Sequence, residues 1–161
     1  MTMISKEMTD ALNEQIGHEF FNSIQYLAIA VYFDQDGLKK IADLYYKQSE
    51  EERMHGMKFL KYMVDTGASV RIPAIATPKA EFGSAEEAIQ LVVDVEWDTT
   101  RRINRLMDLA VEQKDYLAQD MLRWFVTEQL EEVSTQENIL RIVRNAGQKN
   151  LLMMEAYLAH K

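Results

Sequence analysis

The sequence has no cysteine, and only two prolines and six glycines among its 161 residues. The absence of cysteine excludes disulfides, cysteine-bound zinc, iron–sulfur clusters and thiol catalysis, and it favours a reducing compartment. Because proline and glycine are the residues that most often end a helix, their scarcity predicts long helices. The longest uninterrupted apolar run, residues 26–33, is eight residues long. A membrane-spanning helix needs about 20, so no membrane association is expected.

Positive charge is also in short supply. The chain has 18 lysines and arginines against 26 aspartates and glutamates, a net charge of −8 with neutral histidine. An acidic protein repels phosphate groups and anionic lipids, so neither a nucleic-acid partner nor a membrane partner is expected. The balance is compatible with handling cations. The first ten residues carry acids where a secretory signal would be apolar, which predicts a cytoplasmic protein.

Apolar residues recur at helical spacing along nearly the whole chain. Five helices are predicted, at roughly residues 5–34, 40–66, 84–113, 116–145 and 149–158. Gly67 follows the second helix where a left-handed cap is wanted, and Asp115 can cap the fourth. Ser84 and Glu87 form a capping box at the start of the third, and Gly147 ends the fourth.

The predicted helix lengths and connections define a fold. Four helices of roughly 27–30 residues, each about 40–45 Å long, pack best as a bundle. The link over residues 68–83 is long and contains both prolines, so it can travel the length of the bundle and make helices two and three parallel. We therefore predict an all-α four-helix bundle with a long crossover between helices 2 and 3, a short C-terminal fifth helix, and a single domain spanning residues 1–161.

Each long helix carries a glutamate on its apolar stripe, close to the middle of the helix. In a bundle of equal helices these four mid-helix positions share one height. His55 lies one turn after Glu52, the glutamate on the second helix. On the fourth helix the predicted inward stripe includes Thr135. The four stripe acids are Glu19, Glu52, Glu96 and Glu132.

Four buried carboxylates without a counter-charge are not tolerable. Burying one isolated carboxylate costs several kcal/mol, and four together repel one another. No lysine or arginine lies on these stripes, so two divalent metal ions are the natural counter-charge. The imidazole of His55 favours a transition metal over Mg²⁺ or Ca²⁺. Carboxylate-rich sites of this kind in helical bundles hold iron or manganese.

A second acidic layer adjoins the first. It consists of Glu51, Glu128 and Glu131, with the amide of Gln129 able to face the site. This layer can form a third, weaker cation site that shares Glu132. Its alternative is an ordinary solvated helix face.

Four other side chains are interpreted one by one. Tyr26, two turns from Glu19, is either a core aromatic or a hydrogen-bond and electron donor at the metals. We expect Trp124 in the core rather than in a redox role. His18 and His160 lie away from the acidic stripes and are expected at the surface.

Three functions remain open for such a chain at this point. A di-iron or di-manganese oxidase would act on an organic substrate, need a substrate pocket and occur as a dimer. A structural bundle would carry its acids incidentally and bind no Fe²⁺. A passive cation buffer would bind metal without consuming O₂.

The sequence closely resembles the prokaryotic non-haem ferritins over essentially its whole length. The resemblance lies in Asn13-Glu14-Gln15-Ile16 ahead of Glu19, in the run Glu50-Glu51-Glu52-Arg53-Met54-His55-Gly56, in Glu96-Trp97, and in Trp124-Phe125 ahead of Glu128-Gln129-x-Glu131-Glu132.

The resemblance implies roles for these positions. Glu19, Glu52 and His55 would bind the first iron. Glu52, Glu96 and Glu132 would bind the second, with Glu52 bridging and Gln129 nearby. Glu51, Glu128, Glu131 and Glu132 would form a third iron site, and Tyr26 matches the site tyrosine.

The resemblance also implies an activity and an assembly. The chain would be a ferroxidase that uses O₂ or peroxide, within a homo-oligomeric shell of 24 subunits that stores iron. Haem is not expected, because Arg53 stands where bacterioferritins carry a haem-binding methionine, and Gln129-x-x-Glu132 replaces their second Glu-x-x-His.

Overall fold

The computed structural model describes residues 1–160; Lys161, which the predicted domain includes, lies outside the described residues. Within this range the chain forms helices and no β-strand. The α-helices are α1 (Lys6–Gln35), α2 (Lys39–Asp65), α3 (Ala85–Glu112), α4 (Tyr116–Ala146) and α5 (Leu151–Ala159), with a 3-10 turn at Gln148–Asn150 before α5. The predicted helical bundle is confirmed, and the predicted ends agree with these bounds to within two residues.

The predicted caps at the starts of α3 and α4 form as local hydrogen bonds, and Ser5 caps α1 in the same way. The side chains of Ser5, Ser84 and Asp115 accept from the backbone N–H groups three residues later, at the starts of α1, α3 and α4. Gly67 and Gly147 both have φ of +73°, a conformation that glycine adopts without steric cost. The capping box at α3 differs in one detail, because Glu87 accepts from the N–H of Gly83 rather than from that of Ser84.

The crossover between α2 and α3 runs along α1. Asn13 exchanges hydrogen bonds with Ser69 and Arg71, and further along α1 Gln25 exchanges two with Lys79. The segment therefore travels from the start of α1 towards its end. Since α2 and α3 both begin near the end of α1, these two helices run parallel.

The core consists of two apolar clusters separated by a polar layer. One cluster packs around Phe33 and Tyr45, and the other around Leu12 and Phe59. Between them lies a layer of buried polar side chains that includes Glu19 and Glu52. This interruption of the core is what positions the site described below.

One inward assignment on α4 is wrong. Thr135 is exposed, whereas Gln136 is fully buried and accepts a hydrogen bond from Tyr45. The step inward from Glu132 is four residues rather than three. None of the described helices is long and apolar enough to cross a membrane.

Candidate metal centre

The structure brings the four predicted stripe acids into the interior at one level. Glu19 and Glu96 are completely buried, and Glu52 and Glu132 are 1% and 5% exposed. His55, one turn after Glu52 on α2, is 4% exposed. Among the described residues, no lysine or arginine nitrogen lies within 4.0 Å of these carboxylates. The interior charge is therefore not neutralised by lysine or arginine side chains.

Glu19, Glu52 and His55 form the tightest group. Each offers one donor atom within 4.8 Å of the other two, and His55 Nδ1 lies 3.5 Å from Glu52 Oε1. Two oxygens of this group, Glu19 Oε2 and Glu52 Oε1, are buried without a hydrogen-bond partner. Their geometry suits a cation held between α1 and α2.

Burial disfavours the charged state of these carboxylates. It raises the pKa of Glu19 well above its usual range, and the neighbouring Glu52 charge raises it further. Burial likewise raises the pKa of Glu52, with added repulsion from Glu96 and Glu132. A bound cation would reverse this preference, because it favours the ionised form.

Glu96 is held by two neutral donors. Tyr26 donates its hydroxyl to Glu96 Oε1 at 2.6 Å, and Gln129 Nε2 donates to Glu96 Oε2 at 3.2 Å. Burial raises the pKa of Glu96, although both hydrogen bonds act in the opposite direction. The predicted placement of Tyr26 and Gln129 beside the acids is thus seen, while their role in chemistry stays a prediction.

His55, Glu128 and Glu132 form a second group. Their donor atoms also lie within 4.8 Å of one another, and His55 Nε2 is 4.0 Å from Glu128 Oε1. Burial, followed by the Glu96 charge, raises the pKa of Glu132 to about 8. His55 therefore faces the first group through Nδ1 and the second group through Nε2.

The other two acids of the predicted second layer, Glu51 and Glu131, lie outside these groups. Glu51 interacts with Gln48 and Lys47 at 2.7 and 3.4 Å, and Glu131 is exposed. Neither belongs to a three-residue metal-binding group within residues 1–160. The third-site ligand set, and the set of Glu52, Glu96 and Glu132 for a second ion, stay predictions.

Two expectations about single side chains are wrong. His18 is half-buried and lies 2.8 Å from Thr99 Oγ1, and burial lowers the pKa of its imidazole to about 4. Trp124 is 39% exposed rather than in the core. Its ring packs edge-on to His55, with centroids 5.5 Å apart, and Lys58 Nζ lies 3.3 Å from its centroid.

Sequence reasoning missed two polar residues that contact the acids. Gln15 donates to Glu19 Oε1 at 2.7 Å, and Asn22 donates to Glu52 Oε2 at 3.4 Å. Both lie one helical turn from Glu19 on the same face of α1. That spacing was the available signal, since amides one turn from a buried acid can hydrogen-bond within the same layer.

The residues present fit divalent transition-metal ions. Unpartnered buried oxygens need a ligand, four carboxylates supply the negative charge for two divalent cations, and the imidazole of His55 favours a transition metal. The fold and the site together define a helical-bundle protein with a buried cluster of carboxylates and a histidine that could hold metal ions.

Comparisons with known proteins give the family. The family model described as a ferritin-like domain matches residues 9–146. The bacterial non-heme ferritin of Staphylococcus aureus is 36% identical over 145 residues, which are 90% of this chain and 87% of that protein. Ferritin BfrB of Mycobacterium tuberculosis is 36% identical over 150 residues, 93% of this chain and 82% of that protein. This chain belongs to the ferritin family.

Solved structures agree with this assignment. An open pore ferritin from the archaeon Archaeoglobus fulgidus superposes with a TM-score of 0.93 at 34% identity, covering 98% of this chain and 99% of that one. A structure described as a humanized archaeal ferritin gives a TM-score of 0.94 at 32% identity, covering 98% and 97%. The similarity therefore extends over the bundle and the fifth helix.

Proposed function

We propose that this protein is a ferroxidase and an iron-storage subunit. Two Fe²⁺ ions bind inside one subunit, are oxidised by O₂ or peroxide, and leave as Fe³⁺ to form a mineral in the cavity of a 24-subunit shell. The observation that carries the proposal is the cluster of four buried carboxylates, which within residues 1–160 has no lysine or arginine nitrogen within 4.0 Å. Two divalent ions would balance that charge.

The residues of the centre would have distinct roles in binding the two ions. Glu19 and His55 would hold one ion, Glu96 and Glu132 the other, and Glu52 would bridge them. Tyr26 and Gln129 orient Glu96 through their hydrogen bonds. Glu128, which lies near His55 and Glu132, would with Glu51 and Glu131 guide iron between the centre and the surface.

The oxidation balances with two ions. Each Fe²⁺ gives up one electron, and one O₂ takes up two electrons and two protons to leave as hydrogen peroxide. With peroxide as the oxidant, two electrons and two protons yield two water molecules. Holding both ions in one site lets the oxidant collect its two electrons together.

Stopped-flow measurement of Fe²⁺ oxidation tests the proposal. Glu52→Gln keeps the size of the side chain and removes one charge, so it should abolish the rapid phase of oxidation. Glu50→Gln, on an exposed neighbour in the same helix, is the matched control and should oxidise iron at the wild-type rate.

Two results would contradict the proposal. An unchanged rapid phase in Glu52→Gln would show that the chemistry lies elsewhere. Stoichiometric Fe²⁺ binding by the wild type with neither O₂ nor peroxide consumed would instead identify a passive cation buffer.

A further inference from the structure

Three polar side chains form a wedge between α1 and α3 beside the metal centre. His18 and Asn22 lie one turn apart on α1, and Thr99 faces them from α3. Thr99 is 1% exposed and Asn22 is completely buried. None of the three is among the predicted metal ligands, so this polarity inside the core needs its own explanation.

The hydroxyl of Thr99 has three hydrogen-bonding neighbours. It can donate its single proton to the carbonyl oxygen of Val95, 3.0 Å away and one turn back on α3, or to His18 Nε2 at 2.8 Å, and the tautomer of the imidazole decides between them. With either acceptor, the oxygen of Thr99 accepts from Asn22 Nδ2 at 3.1 Å.

This arrangement fixes which way the amide of Asn22 points. Its nitrogen lies between Thr99 Oγ1 and Glu52 Oε2, which is 3.4 Å away, and its oxygen is buried without a partner. Turned over, the amide would place its oxygen against the oxygen of Thr99 and, once Glu52 is ionised to bind metal, against a second acceptor. Leaving the carbonyl oxygen of Asn22 without a partner is destabilising, and the two hydrogen bonds donated by its nitrogen offset that cost.

We propose that Thr99 and Asn22 are positioning residues for Glu52: Thr99 orients the amide of Asn22, and that amide holds Glu52 Oε2. Glu52 Oε1 then stays directed towards Glu19 and His55, where it has no hydrogen-bond partner. The inference rests on the proposed function, in which Glu52 bridges two ions. Hydrogen bonds behind a metal ligand fix its orientation and contribute to the affinity of the site.

Anaerobic calorimetric titration with Co²⁺ tests the inference without any oxidation step. Thr99→Val keeps the shape of the side chain and removes its oxygen, so it should lower the Co²⁺ affinity of the centre by about 10- to 100-fold. Thr99→Ser restores the hydroxyl and should bind nearly as the wild type does. Thr127→Val is the matched control, because Thr127 makes the same bond to the carbonyl one turn back on the exposed face of α4.

A double-mutant cycle separates positioning from packing. Asn22→Leu removes the amide that contacts Glu52 and should weaken Co²⁺ binding to a similar extent. If Thr99 acts through Asn22, adding Thr99→Val to Asn22→Leu lowers the affinity no further. Independent packing effects would instead add.

The possible outcomes are distinguishable. Wild-type affinity in Thr99→Val, or additive losses in the cycle, would overturn the inference and leave the proposed function standing. A wild-type protein that binds no Co²⁺ at the centre would overturn both. Should Thr99→Val fail to fold, Asn22→Leu decides alone. This variant removes a buried oxygen that has no hydrogen-bond partner, so it is expected to fold. Wild-type Co²⁺ affinity in Asn22→Leu would overturn the inference.

Discussion

At the scale of single residues, desolvation dominates the behaviour of the centre. Burial is the largest cause of the raised pKa of Glu19, Glu52, Glu96 and Glu132. Without metal, these groups therefore hold protons at pH values where exposed glutamates are ionised. Binding a divalent cation must release those protons, which couples metal affinity to pH.

This coupling predicts how the stability of the metal-free protein depends on pH. A group whose pKa is raised by folding binds more protons in the native state, so its stabilising contribution is lost as pH rises. For Glu132 the loss runs from about pH 4.5 to about pH 8, at up to about 1.4 kcal/mol per pH unit. Denaturant unfolding of the metal-free protein should therefore show stability falling between pH 5 and 8.

Glu132→Gln supplies the control for this prediction. The variant lacks the titrating group, so its stability should fall less steeply over the same pH range. A wild-type stability that is flat or rises between pH 5 and 8 would contradict the account. With Co²⁺ bound, the dependence should reverse, because the metal favours the ionised carboxylates.

At the scale of elements, the crossover between α2 and α3 packs along α1. Pro73 packs directly on Gly17, and a Cβ built at Gly17 would lie 2.1 Å from Pro73 Cγ. That distance is far inside van der Waals contact, so only glycine fits without a shift of the segment. Together with the hydrogen bonds of Asn13 and Gln25, this contact fixes the path that makes α2 and α3 parallel.

Gly17→Ala gives a test in which two effects have opposite signs. Helix propensity alone predicts stabilisation by about 1 kcal/mol, whereas the clash with Pro73 predicts destabilisation by roughly 1–3 kcal/mol. We expect destabilisation in thermal or denaturant unfolding. The double variant Gly17→Ala, Pro73→Ala removes the colliding ring atoms and should recover most of the loss; a stabilised single variant would contradict the packing described.

The helices also show which features could be predicted from sequence. Glu19, Glu52, Glu96 and Glu132 stand out because each interrupts an apolar stripe in mid-helix, and caps such as Asp115 are local. The face of a helix that points inward is harder to predict. A step of three residues from Glu132 reaches Thr135, which is exposed, and a step of four reaches Gln136, which is buried. The expectation of a surface position for His18 is wrong because its partner Thr99 lies on another helix, and sequence spacing carries no information on that contact.

At the scale of the whole molecule, one face of α1 is unusually apolar for a surface. Ile24, Leu27 and Val31 are 37%, 45% and 39% exposed and lie three and four residues apart. On α5, Leu152 and Met153 are 75% and 68% exposed. Apolar surface of this kind favours contact with other subunits, as the proposed shell requires.

A charge placed in this row of α1 tests that expectation. Leu27→Arg should prevent burial of the face and shift the protein to species much smaller than the shell. Leu27→Met keeps the face apolar and should assemble normally. Sedimentation velocity measures both, against an expected wild-type mass of about 450 kDa for twenty-four 18.7 kDa chains; an intact shell from Leu27→Arg would contradict this use of the α1 row.

The most direct test of the central claim is to soak Fe²⁺ anaerobically into crystals and locate each bound ion by anomalous scattering at the iron edge. The account predicts two ions within the bundle, one between Glu19, Glu52 and His55 and the other beside Glu132, with Glu52 contacting both. Iron found only on exposed acids, or absent from the space between these carboxylates, would contradict it.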